Sequence, residues 1–116
     1  MLKFYGYELE LFAGRDLGEI DGVRVRAGTD LCGGHWLIAR VDSDPEHLVW
    51  VCAPVSTHAL QAVADQRARV GDVLRHSLTG LVEVVTVAHG RSVPDRCLTC
   101  TDLPAELLPH EELCAA

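Results

Sequence analysis

The sequence predicts an α+β domain: an antiparallel sheet of about five strands, with a helix pair (about 56–66 and 70–76) inserted before the last core strand. Three observations predict it. Leu48-Val49-Trp50-Val51-Cys52-Ala53 is a continuous apolar run of strand length. Ser56 stands where a helix cap belongs, ahead of apolar residues at helical spacing. Thr79-Gly80 then turns the chain into Leu81-Val82-Glu83-Val84-Val85-Thr86-Val87, a second valine-rich strand.

The remaining elements follow in chain order. Tyr7-Glu8-Leu9-Glu10-Leu11 alternates with period two and reads as a half-buried strand. Residues 14–22 are turn-rich and end in the tight-turn dipeptide Asp21-Gly22. Val23-Arg24-Val25-Arg26 alternates again and reads as a short edge strand blunted by its arginines. Residues 30–34 form a second loop, and His35-Trp36-Leu37-Ile38-Ala39-Arg40-Val41 reads as a central strand. A polar turn at 42–46 joins it to the 48–55 strand as an antiparallel hairpin, with Pro54 near the strand end. Leu60, Val63 and Ala64 give the first helix its apolar face. Gly71-Asp72 breaks the helical stretch, and Val70, Val73 and Leu74 form a second, shorter face. From about residue 89 the chain loosens into a proline-bearing tail, with one helical turn expected at 104–108.

The 116 residues suffice for one domain with a core of its own, and 48% of them are hydrophobic. No apolar run approaches the ~20 residues of a membrane helix, and the start does not read as a signal peptide, so the expected location is cytoplasmic. A single Lys beside nine Arg resembles the usage of a high-GC bacterium. The net charge of −7 argues against a nucleic-acid partner, because phosphate binding needs clustered positive charge. Five cysteines are an odd number, which disfavours a disulfide framework. Cys52, inside a strand, is expected to pack as a small hydrophobe, and Cys32, beside Gly33-Gly34, to be a free thiol at a turn.

Several of these residues recur in one order: Trp36-Leu37, Arg40-Val41-Asp42, Ala53-Pro54-Val55-Ser56, Leu60, Val70-Gly71-Asp72-Val73-Leu74 and the tail Leu103-Pro104 to Leu108-Pro109. Over residues 7–110 this resembles a family of uncharacterised small bacterial domains with a PVS-type helix start and an LPxxxLP tail. The resemblance implies no activity, and no functional residue is carried over from it.

The candidate chemistry lies in two places. Arg67, Arg69, Arg75 and His76 cluster with only Asp72 between them, and His58 sits in the first helical turn. A solvated arginine face is the plain explanation; a ligand pocket between the sheet and the 56–76 helices, with these five residues as polar contacts, is the functional one. Cys97, Cys100, His110 and Cys114 form the second group. A two-residue gap lets two thiolates share one Zn²⁺, and a spacing of four puts His110 and Cys114 on one helix face. Against zinc stands docking of the tail through Leu103, Leu107 and Leu108, with incidental cysteines. A redox pair at Cys97 and Cys100 lacks the helix N-terminus that activates such thiols. Trp36 and Trp50 read as core anchors or, if one faces out, as an association surface.

No nucleophile elbow, phosphate loop or dinucleotide fingerprint occurs, and no catalytic residue can be named. The leading expectation is therefore a small acidic accessory or protein-interaction module without a cofactor, binding another protein or itself, with the 23–26 edge available for sheet extension. The alternatives are a small enzyme or ligand-binding protein using the 56–76 pocket, and a zinc-stabilised module built on the tail.

Overall fold

The computed structural model describes residues 2–5, 10–43, 47–88, 91–104 and 107–108. They form seven strands and two helices in the order β1 (Leu2–Tyr5), β2 (Glu10–Ile20), β3 (Val23–Asp30), β4 (His35–Ser43), β5 (His47–Pro54), α1 (Thr57–Ala64), α2 (Val70–Arg75), β6 (Leu81–Ala88) and β7 (Arg91–Thr99). A 3₁₀ turn, Cys100–Asp102, follows. The strands make one antiparallel sheet whose spatial order equals chain order. The outermost strands, β1 and β7, approach one another, so the sheet curls toward closure.

Period-two alternation divides the apolar residues between two faces. Val25, Leu37, Ala39, Val51, Ala53, Val82 and Val84 lie on one face, and Leu60, Val63, Val70, Val73 and Leu74 of the two helices pack against them. Trp36, Ile38, Trp50, Cys52 and Val85 form a second buried cluster on the opposite face. Both tryptophans are buried, as core anchors should be. Burial of side chains as large as Leu37 or Leu74 contributes roughly 1.5–3 kcal/mol each.

The α+β class, the antiparallel sheet and the placement of both helices agree with the sequence reading; the strand count rises from about five to seven. The Ser56 hydroxyl accepts the Ala59 N–H at 3.1 Å and caps α1. Asp21 and Gly22 take φ values of 54° and 81°, as a two-residue hairpin with a right-handed twist requires. Cys52 is buried and Cys32 is an exposed free thiol.

Four local expectations are corrected. Residues 14–20 are not a loop but the continuation of β2, which absorbs two register shifts, one beside Gly18 at φ 88°. Residues 23–26 are not an edge: β3 is paired on both sides, by β2 and β4, so sheet extension there is closed. The break between the helices falls at Gln66, at φ 59°, while Gly71 and Asp72 lie inside α2. Residues 91–99, expected to be loose, pair with β6. The Leu107 N–H donates to the Pro104 carbonyl at 3.0 Å, while residues 105 and 106 of the expected turn at 104–108 lie outside the described residues. Residues 7–9 of the first expected strand and 44–46 of the polar turn lie outside the described residues.

Candidate functional site

The β3–β4 connection is built around one carboxylate. Asp30 Oδ1 accepts the backbone N–H of Cys32 at 2.9 Å and of Gly34 at 2.8 Å, and Oδ2 accepts the Trp36 indole N–H at 2.8 Å. The Asp30 N–H donates to the Gly34 carbonyl, and the Gly33 N–H to the Asp30 carbonyl. The loop is thus closed on itself. The indole hydrogen bond holds the Asp30 carboxyl below its ordinary range; burial opposes this, and the Gly34 and Cys32 N–H groups and His35 add to the lowering. Gly34 is demanded by the same carboxylate, since a Cβ there would stand 2.5 Å from Oδ2.

Beside this loop lies a groove of about 390 Å³ between the sheet and α1, lined by Arg15, Thr29, His35, Thr57, Leu60 and Gln61 over a glycine floor that includes Gly14. Strand β2 supplies Arg15, β3 supplies Thr29, and His35 opens β4. Gly14 lets the strands approach here, because a Cβ would meet the Ala27 carbonyl at 3.2 Å. Among the described residues, no carboxylate lines this groove.

A second groove, of about 350 Å³, separates the β2–β3 hairpin from the segment joining the helices. Glu19 and Asp21 face Gln66, Arg67 and Arg69 across it. Helix α2 has no capping side chain of its own. Asp21 serves instead: its Oδ2 accepts the Val70 N–H at 2.8 Å, across 49 residues of sequence.

The sequence-nominated ligand residues do not converge. Arg67 and Arg69 share the second groove, where Arg67 pairs with Asp65 at 3.3 Å. His58 is exposed on α1 and lines neither groove. Arg75 pairs with Asp72 at 3.3 Å, and His76 Nδ1 lies 2.7 Å from the Asp72 carbonyl oxygen, so both turn back onto α2.

Of the proposed metal residues, His110 and Cys114 lie outside the described residues. Cys97 is exposed on β7 opposite Glu83, and partial desolvation and then the Glu83 charge push its thiol pKa up. Cys100 is buried among the helix-side core residues, and its Sγ–H donates to the Arg75 carbonyl at 3.0 Å. The two thiols therefore have separate surroundings, and among the described residues no group of three or more His, Cys, Asp or Glu side chains could hold a metal ion. Also among the described residues, no helix is long and apolar enough to cross a membrane.

Sequence reasoning missed Arg15, Asp30 and His35 as participants in a site. For Asp30 a signal existed: an Asp followed by Gly-Gly and then Trp at the sixth position fits a carboxylate-centred turn. For Arg15 and His35 there was none, since a groove made by three strands and a helix is a property of the assembled sheet. No family model matches the chain, and no curated protein or solved structure matches it either.

Proposed function

We propose that this chain is a protein-interaction module whose contact surface is the end of the sheet formed by the β3–β4 loop and the start of β6. The observation that carries this is the placement of three exposed leucines at that end: Leu31, 71% exposed, Leu78, 69%, and Leu81, 46%. Leu31 sits in the Asp30-centred loop. The Leu78 N–H donates to the Pro54 carbonyl, and Leu81 opens β6 beside it. Pro54 in turn pairs with Trp36. Single exposed leucines are ordinary; three grouped at one end of a sheet, beside a loop fixed by four hydrogen bonds to Asp30 and one from it, form a surface suited to a partner.

Covering the three leucines would contribute roughly 3–5 kcal/mol before the cost of association. The net charge of −7 favours a neutral or basic partner over a second copy of the chain. The test is a partner identified by affinity capture, purified, and titrated against the wild-type chain and the L31D/L78D double variant. At least a tenfold loss of affinity in the variant, with unchanged circular dichroism, supports the reading. Equal binding by the two chains, or a chain that binds only itself, overturns it.

A further inference from the structure

We propose that the groove between β2, β3 and α1 binds a small monocarboxylate with a short apolar tail, a site that adjoins the β3–β4 loop but is lined by none of the three exposed leucines.

The charge distribution is the first reason. In a chain with a net charge of −7, this groove is lined by Arg15 and His35 and, among the described residues, by no acidic side chain. Three acids close to its lining in sequence are already committed: Asp65 pairs with Arg67 at 3.3 Å and accepts the Gln61 amide N–H at 2.9 Å. Asp16 pairs with Arg24 at 3.2 Å and accepts the Gly18 N–H at 2.9 Å. Asp30 holds Cys32, Gly34 and Trp36. Arg15 has no ion pair or hydrogen bond among the described residues, so its guanidinium fork is available to an incoming anion.

The lining sets the class of ligand. Thr29 and Thr57 supply neutral hydroxyl groups around the head group, Gln61 lines the groove with its amide N–H donated to Asp65 at 2.9 Å, and Leu60 and Ala27 supply an apolar wall. One arginine matches a single negative charge; a phosphate dianion would call for more. The volume of about 390 Å³ lies in the range of small-molecule sites. Gly14 keeps the floor open for a reason independent of any ligand, namely the close Ala27 carbonyl.

Hexanoate is the probe, followed by amide shifts in two-dimensional NMR of the full chain, with hexanamide and inorganic phosphate as comparisons. Saturable shifts centred on Gly14, His35, Thr57 and Gln61 are expected, with a Kd on the order of millimolar for so small a ligand. Arg15→Gln, an exposed position, should keep the fold and weaken hexanoate about tenfold or more. Hexanamide should bind as weakly to the wild type as hexanoate does to the variant. Absence of saturation, shifts centred elsewhere, or R15Q binding equal to wild type overturns the site. Hexanamide binding equal to hexanoate, or tighter binding of phosphate, overturns the monocarboxylate assignment. Retention of hexanoate binding by L31D/L78D separates this site from the protein contact.

Discussion

Asp30 and Asp21 each commit a carboxylate to backbone N–H groups, and they do so over very different lengths of chain. Asp30 collects the amides of Cys32 and Gly34 and the indole of Trp36, all within six residues. Asp21 reaches the Val70 N–H across 49 residues and starts a helix that carries no cap of its own. The first is a local turn device that would form in any chain able to fold that loop. The second exists only once the β2–β3 hairpin and the helix pair have met. Local carboxylates fix the shape of one connection; the remote one couples two units of the fold. Substitutions should therefore act with different sizes and through different neighbours.

The largest effect is expected at Asp30. Asp30→Ala removes the acceptor of three hydrogen bonds and leaves the Trp36 N–H, on a buried side chain, without its partner. A loss of about 3 kcal/mol follows, seen as a fall in melting temperature on the order of 10 °C. The same residue makes an acid-side prediction. Its carboxyl pKa is lower in the folded chain than in the unfolded chain, so its stabilising contribution is complete above the unfolded value. That contribution is lost as pH falls below about 4 and through the folded value. Stability measured against pH in wild type and Asp30→Asn should converge at the acid end. Parallel curves down to the acid end would show that the carboxylate charge contributes nothing.

Gly34→Ala sharpens the local half of the comparison. Its φ is not in the left-handed region, so the penalty comes from the Asp30 carboxylate 2.5 Å from the new Cβ. A cost of about 2 kcal/mol is expected in the wild type. In the Asp30→Ala background the obstacle is gone, and the cost should fall below about 0.5 kcal/mol. Additive effects in that cycle would break the account of why this position is glycine.

At Asp21 two effects can be separated. Asp21→Ala loses the hydrogen bond to Val70 and places alanine at φ 54°, for about 2 kcal/mol together. Asp21→Gly relieves the backbone and loses only the cap, about 1 kcal/mol. Asp21→Asn keeps both an acceptor and tolerance of that φ and should cost least. Chemical denaturation orders the three; an order other than Ala, Gly, Asn from most to least damaging would remove Asp21 as the cap of α2.

The same division of local and remote explains what could be read from the sequence. The Ser56 cap, the Asp21-Gly22 hairpin and the Gly80 turn rest on residues within a few positions of one another, and each was legible. The strand over 14–20 was hidden because its glycines serve bulges rather than a loop, a distinction that depends on whether β3 lies alongside. Likewise, β3 looked like an edge because nothing in its own residues reveals that strands flank it on both sides. The grooves were still less legible. The arginines that stood out by clustering, Arg67, Arg69 and Arg75, divide between a polar groove and the surface of α2. The unremarkable Arg15 and His35 are brought together by three strands and a helix.

The smallest effects should come from carboxylates that meet guanidinium groups instead of backbone. Asp65–Arg67 and Asp72–Arg75 are both 3.3 Å pairs, close enough to count as ion pairs, yet their side chains are 39–64% exposed. Water screens the attraction on one side, and two flexible side chains must be held still on the other; the two terms nearly cancel. Arg67→Gln and Arg75→Gln should each change stability by less than about 0.5 kcal/mol, and less again in high salt. Denaturant midpoints at low and high ionic strength check this. A loss at either arginine as large as that of Asp21→Gly would mean that these guanidinium groups, like the carboxylates of Asp21 and Asp30, carry a structural contact that the exposed ion pairs do not account for.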